Sequence, residues 1–160
     1  MPQEIERKFL VKDLSVLTGV VGTKLAQGYV SRGGLLVRVR RAGDQAFLTL
    51  KGPRKTGKLG CGEWEYSIPV EEADQMLEHA PAPLIVKTRY EIPVGRHTFE
   101  VDVFEGDLAG LVVAEVELAS EDEAVELPAW LGREVSHDIE YTNANLSLRI
   151  RAGEALPPFE

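Results

Sequence analysis

The sequence predicts a mainly β protein, an eight-stranded antiparallel barrel with a few flanking helices. Three observations predict it. Apolar and polar residues alternate with period two in eight short segments. Turn signals separate these segments, among them Arg32-Gly33-Gly34, Ala42-Gly43-Asp44, Pro93-Val94-Gly95 and Gly106-Asp107. The chain of 160 residues is 44% hydrophobic and 28% charged, enough to bury one core, and shows no internal repeat or linker. Short strands joined by tight turns close naturally into a barrel, because closure removes exposed sheet edges. An eight-stranded barrel leaves room for one small ligand. A single domain over 1–155 is expected, with a loose tail over 156–160.

Each element has its own signal. The first strand is expected over 4–11, where positions 4, 6 and 8 are charged and Ile5 lies between two acids. Residues 13–17 suit one helical turn. The second strand, 24–31, places Leu25, Gln27, Tyr29 and Ser31 on one parity. The third and fourth, 35–40 and 47–51, alternate without a break. Residues 52–62, rich in Gly and Lys, read as a mobile loop before the fifth strand at 63–68. Residues 71–80 predict a helix, with Ala73, Met76, Leu77 and Ala80 on one face and acids in the first turn. Three more strands follow at 86–90, 99–103 and 113–118. A short helix over 121–127, ended by Pro128, and a terminal helix over 143–151 complete the expectation.

The alternation carries charge. One face of the strands holds Glu4, Glu6, Glu63, Glu65, Glu100, Asp102, Glu115 and Glu117, with Lys8, Arg38, Arg40, Lys51, Lys87 and Arg89. The other face holds Ile5, Val37, Val39, Leu48, Leu50, Trp64, Tyr66, Val86, Val101, Val103 and Val116. An alternating strand by default turns its polar face to water. Here, however, strands carry like-charge pairs two residues apart: Glu4/Glu6, Arg38/Arg40, Lys87/Arg89 and Glu115/Glu117. Same-face like charges destabilise a sheet. Their repetition makes sense if the ionic face lines the barrel and helices cover parts of the apolar outer face.

Clustered Arg and Lys bind oxyanions, and clustered Glu and Asp bind hard cations through oxygen. A lumen with both suits a polyphosphate carried with a divalent metal. The overall charge of −8 argues weakly against anion binding and against nucleic acid. Its distribution matters more. The ionic face has 8 acids and 6 bases, while the remaining 18 acids and 12 bases hold most of the acid excess.

At these residues the sequence resembles a known family. Glu4-Ile5-Glu6-Arg7-Lys8 is similar to the Glu-x-Glu-x-Lys signature of the CYTH superfamily, the triphosphate tunnel metalloenzymes. The resemblance continues through Gln27-Gly28-Tyr29, Val37-Arg38-Val39-Arg40, Leu48-Thr49-Leu50-Lys51, Lys87-Thr88-Arg89-Tyr90, Val101-Asp102-Val103-Phe104, Glu115-Val116-Glu117 and the segment from Pro128 to Val135. It covers nearly the whole chain in order and looks like the small single-domain bacterial type. It implies an eight-stranded tunnel that hydrolyses a phosphoanhydride bond with Mg2+ or Mn2+. It further implies metal ligation by Glu4, Glu6, Glu115 and Glu117, with Glu63 and Asp102 as further tunnel acids. Lys8, Arg38, Arg40, Lys51, Lys87 and Arg89 then clamp phosphates. Lys8, in contact with Tyr29, is the candidate to position or deprotonate water.

Without an added domain for an organic group, inorganic tripolyphosphate is the favoured substrate. Adenylate cyclase and thiamine or nucleoside triphosphatase activities are same-fold alternatives. A non-catalytic polyphosphate-binding module is a third, but pure anion binding would not need eight inward acids. A lipid-carrying barrel requires an apolar lumen. The expected partner is a small triphosphate-containing molecule, with no nucleic acid and no membrane. The apolar outer face is able to support a homodimer. No apolar run has signal or membrane-span character, so a cytoplasmic protein is expected. Cys61 is the only cysteine, which excludes an internal disulfide, and it sits in the Gly-rich loop. His79, His97 and His137 have no metal-ligand spacing and read as structural or surface residues. Ser31-Arg32-Gly33-Gly34 lacks the ending of a phosphate loop.

Overall fold

Each alternating segment forms a strand in the computed structural model, which describes residues 3–31, 34–53, 57–81 and 83–146. The strands are β1 (Gln3–Val11), β2 (Thr23–Ser31), β3 (Leu36–Ala42), β4 (Gln45–Lys51), β5 (Gly60–Ser67), β6 (Ile85–Val94), β7 (His97–Phe104), β8 (Val112–Glu117) and β9 (Leu131–Glu134). Their order is β5-β4-β3-β2-β6-β7-β8-β1-β9, and a further β5–β1 pairing closes the first eight into an antiparallel barrel. Closure depends on β1. One of its edges pairs with β8 from Glu6 to Leu10. Along the other edge, β5 takes Gln3 to Ile5 and β9 takes Phe9 to Val11.

The period-two pattern fixes what faces in. Gln27 and Tyr29 are buried on the lumen side of β2, while Gly28 between them faces the helix α1 (Val70–Glu78). That helix packs Ala73 and Leu77 onto Val39 and Ala46. It matches the expected helix, with Glu71 and Glu72 in its first turn. A Cβ at Gly28 would stand 2.9 Å from Leu84 Cδ2 and 3.1 Å from Ala80 Cβ. Gly28→Val is therefore expected to lower stability by about 1–3 kcal/mol through overpacking. A lowered urea midpoint with unchanged kcat per folded molecule would show it. An unchanged midpoint would refute this packing account.

A second cluster covers the outer face of the opposite wall. Phe99, Val101, Ala114 and Val116 pack there against Leu118, Val125 and Trp130. Phe99 and Trp130 meet edge to face with centroids 5.5 Å apart. The third cluster lies on the lumen parity and plugs one end of the barrel. Leu10, Ile85, Phe104, Leu111 and Val113 meet Tyr141 and Leu146 there. The lumen is thus a cup, closed at its apolar end. Trp64 and Tyr66 point outward as expected, and Tyr66 is exposed.

Three details depart from expectation. Residues 121–127 are not helical. Their acids serve distant partners instead: Glu121 Oε1 accepts the Leu59 N–H at 2.7 Å, and Glu123 accepts the Ala119 N–H while pairing with His97. Such tertiary acceptors outweigh a weak local helix preference. Cys61 and Gly62 belong to β5 and pair with β1, so part of the expected loop is strand. β9 is additional, because four residues containing Gly132 carry no readable alternation. Residues 143–146 are helical as expected, while 147–160, where the remainder of the predicted helix and the predicted tail fall, lie outside the described residues. Leu14–Leu17 forms the expected single turn, capped by Asp13. No helix among the described residues is long and apolar enough to cross a membrane.

Candidate active site

The cup holds a cavity of about 810 Å³, and the predicted charges meet in it from separate strands. Glu4, Glu6 and Lys8 come from β1, Arg38 and Arg40 from β3, Lys51 from β4, Arg89 from β6, and Glu115 from β8. Register explains how the like charges coexist. Lys8 lies opposite Glu115, Arg89 opposite Asp102, and Lys51 opposite Glu63. Lys8, Arg89 and Lys51 each meet an acid across the ladder, where pairing is favourable, whereas Glu6 faces Glu117 and Glu100 faces Glu115.

Carboxylates gather in one corner. Lys51 Nζ donates to Glu4 Oε1 at 2.7 Å and lies 3.8 Å from Glu63 Oε1. Burial pushes the Glu4 carboxyl up, but the Lys51 ammonium more than reverses this and holds it below its usual range. Glu6 behaves oppositely. Burial, then Glu115 and Glu4, push its carboxyl well above the usual range, with a side-chain hydrogen bond between it and Glu115. Burial also works against the Glu115 charge, yet Lys8 and this hydrogen bond hold that carboxyl well below the usual range. Lys8 Nζ is 3.6 Å from Glu115 Oε1 and donates to the Tyr141 carbonyl at 3.1 Å.

Cations form the facing wall. Arg40 Nε donates to Gln27 Oε1 at 2.8 Å, and Gln27 Nε2 donates to the Tyr29 hydroxyl at 3.3 Å. Burial, then repulsion from Arg38 and Arg89, lowers the Arg40 guanidinium to about 10. Arg38 NH2 reaches Thr49 Oγ1 at 3.3 Å and Glu65 Oε2 at 3.7 Å. Its Nε is buried in the cavity wall without a hydrogen-bond partner among the described residues. A buried guanidinium donor left unmatched is costly unless a ligand supplies an acceptor.

Not every expected site residue reaches the cavity. Asp102 is almost fully buried and already engaged. Arg89 donates to both its oxygens, at 2.8 and 2.9 Å, and Lys87 Nζ lies 2.7 Å away. The structure places Asp102 and the fully buried Lys87 behind the lining, as a buried ion triad with Arg89. Glu63 is half-buried beside Lys51, outside the lining. Glu117, opposite Glu6 in register, is exposed and also lies outside the lining. Glu100 and Tyr29 do line the cavity. So do residues the sequence left aside: Cys61, Ser136, His137 and Asn143. Ser136 and His137 come from an irregular segment with no period, Asn143 opens the terminal helix, and Cys61 was hidden by its glycines.

The donor set fits a hard divalent cation. Glu4, Glu6 and Glu115 offer only oxygen ligands. Among the described residues no three His, Cys, Asp or Glu side chains form a complete ligand group. A hard divalent cation can complete its shell with water and substrate phosphate oxygens.

A closed barrel that sets a carboxylate corner against a guanidinium wall defines a polyanion-binding barrel of the metal-assisted kind. The chain belongs to the CYTH domain family, whose model matches residues 2–150. Two relatives named inorganic triphosphatase match it along most of their length. The one from Acetivibrio thermocellus is 42% identical over 91% of this chain and 94% of its own. The one from Nitrosomonas europaea is 38% identical over 92% and 98%. A solved crystal structure of an inorganic triphosphatase aligns with a TM-score of 0.67 at 35% identity, covering 92% of this chain and 96% of that one. A Hippeastrum protein described as a putative adenylyl cyclase with a dominant triphosphatase activity shares the fold, with a TM-score of 0.64 at 15% identity over 96% and 98%.

Proposed function

We propose that this protein is a divalent-metal-dependent triphosphatase that hydrolyses inorganic tripolyphosphate to pyrophosphate and orthophosphate. The unmatched Arg38 Nε, among three mutually repelling guanidinium groups, carries this reading. It calls for a multiply charged oxyanion in the cavity. The names of the two curated relatives support the choice of substrate.

Phosphoryl transfer needs positioning and charge neutralisation more than covalent help. Arg38, Arg40 and Arg89 bind the phosphate chain and spread its charge. Glu4, Glu6 and Glu115 would hold Mg2+ or Mn2+, which would supply Lewis acidity to the phosphate oxygens. The Lys8 ammonium, pinned between Glu115 and the Tyr141 carbonyl, orients the attacking water toward the terminal phosphorus. Water oxygen bonds to that phosphorus as the bridging P–O bond breaks, its electron pair leaving on pyrophosphate and the water proton passing to the phosphate products or solvent. Tyr29 and Gln27 keep Arg40 in place.

One observation favours a second reading. The cavity is walled in part by Leu36, Pro53, Val135 and Ile139, which can receive the organic part of a nucleoside or thiamine triphosphate. A phosphate-release panel separates the readings. Tripolyphosphate, thiamine triphosphate, ATP and pyrophosphate are each tested with Mg2+ and with Mn2+, and cyclic AMP is assayed in parallel. Tripolyphosphate is expected to turn over fastest, with no cyclic AMP from ATP. No turnover of any compound would overturn the enzymatic reading.

A further inference from the structure

We propose that Ser136, which carries no charge and belongs to none of the strands, is a positioning residue for Lys8. The inference rests on the triphosphatase reading above. Its origin is the seam in the barrel. On the β1 edge away from β8, the β5 ladder ends opposite Ile5, and β9 begins opposite Phe9. The backbone of Lys8 falls between them. The Val135 N–H donates to the Lys8 carbonyl at 2.8 Å, and the Ser136 hydroxyl accepts the Lys8 N–H at 3.0 Å.

A hydroxyl has one proton to give and lone pairs to receive. Ser136 gives its proton to Glu134 Oε2, at 2.5 Å. Glu134 is in turn held by Arg7, whose Nε and NH2 reach its two oxygens at 2.9 and 2.7 Å. Arg7 and Lys8 are neighbours on a strand, so they point to opposite faces. The relay Arg7–Glu134–Ser136 therefore runs from the outer surface of the barrel to the main chain of Lys8. Ser136 is buried and lines the cavity, and the segment that carries it also brings the Tyr141 carbonyl to Lys8 Nζ. Backbone and ammonium of Lys8 are thus held by one stretch of chain. Small misplacements of a reacting group cost rate steeply.

The test is steady-state kinetics on tripolyphosphate with Mg2+ for wild type, S136A, S136T, E134Q and S136A/E134Q, with urea denaturation of each. S136A is expected to lower kcat by about tenfold at unchanged KM, because only the placement of Lys8 is lost. S136T keeps the hydroxyl and is expected to restore kcat. E134Q is expected to lower kcat less, and the double variant to match S136A, as members of one relay do. Wild-type kcat in S136A overturns the inference, as does a loss in S136T equal to that in S136A. A rise in KM alone also overturns it, since that would make Ser136 a substrate contact. Should S136A not fold, E134Q decides from the surface, and unchanged kcat there overturns the relay. An inactive wild type would overturn the triphosphatase reading itself.

Discussion

Glu115→Gln is expected to lower kcat on tripolyphosphate by about 10²–10³-fold, the range typical of withdrawing one preorganised electrostatic partner. Glu115 is the side chain shared by both halves of the site. It faces Lys8 across the β1–β8 ladder, 3.6 Å away, and it hydrogen-bonds to Glu6 in the carboxylate corner. Gln keeps the shape and one acceptor oxygen but not the charge. Lys8 then loses its counter-ion, and a metal held as proposed would lose a carboxylate ligand. The Mg2+ concentration needed for half-maximal activity should rise with the fall in kcat. Circular dichroism and the urea midpoint should stay close to wild type, which separates a chemical defect from unfolding. Full turnover at an unchanged Mg2+ requirement would remove Glu115 from the site.

The parity of Glu4, Glu6, Arg38, Arg40, Lys51 and Glu115 was legible because alternation is local: one residue determines which face the next one takes. The barrel followed from the same pattern. The partner of each charge is a matter of register, which turn geometry and closure set and no short segment contains. Asp102 shares a face with Glu100 and therefore reads as one more tunnel acid. Only the β6–β7 register, with Arg89 opposite it, makes it an anchor for cations. Glu121 and Glu123 show the same limit. They resemble a helix start until Leu59, Ala119 and His97 are brought beside them. Ser136 left no signal, because its role depends on a gap between two strands distant in sequence.

Asp102→Ala is expected to cost about 3–5 kcal/mol of stability, because removing one member of a buried ion group strands the others. The side chain is 2% exposed, Lys87 is 0% exposed, and both oxygens of Asp102 are held by Arg89. Without it, the fully buried Lys87 loses its counter-ion and Arg89 loses its two-oxygen partner. Lys87→Met should be far milder, since Arg89 keeps its two-oxygen contact and the apolar side chain suits the neighbouring Phe104 ring. Combining Lys87→Met with Asp102→Ala should cost less than the sum, because one stranded charge is gone.

Lys87 adds a dependence on pH. Burial first, then repulsion from Arg40 and Arg89, lowers its ammonium from 10.5 to about 7, against the pull of Asp102. Between these values the unfolded chain holds a proton that the folded chain has released. Unfolding then takes up a proton, so stability rises with pH from about 7 to 10.5. Lys87→Met should flatten that rise. Urea midpoints across the window for both proteins measure it, and parallel slopes would show that Lys87 keeps its proton in the folded barrel. An unchanged midpoint in Asp102→Ala would show that the triad is not a buried anchor and would return Asp102 to the candidate metal ligands.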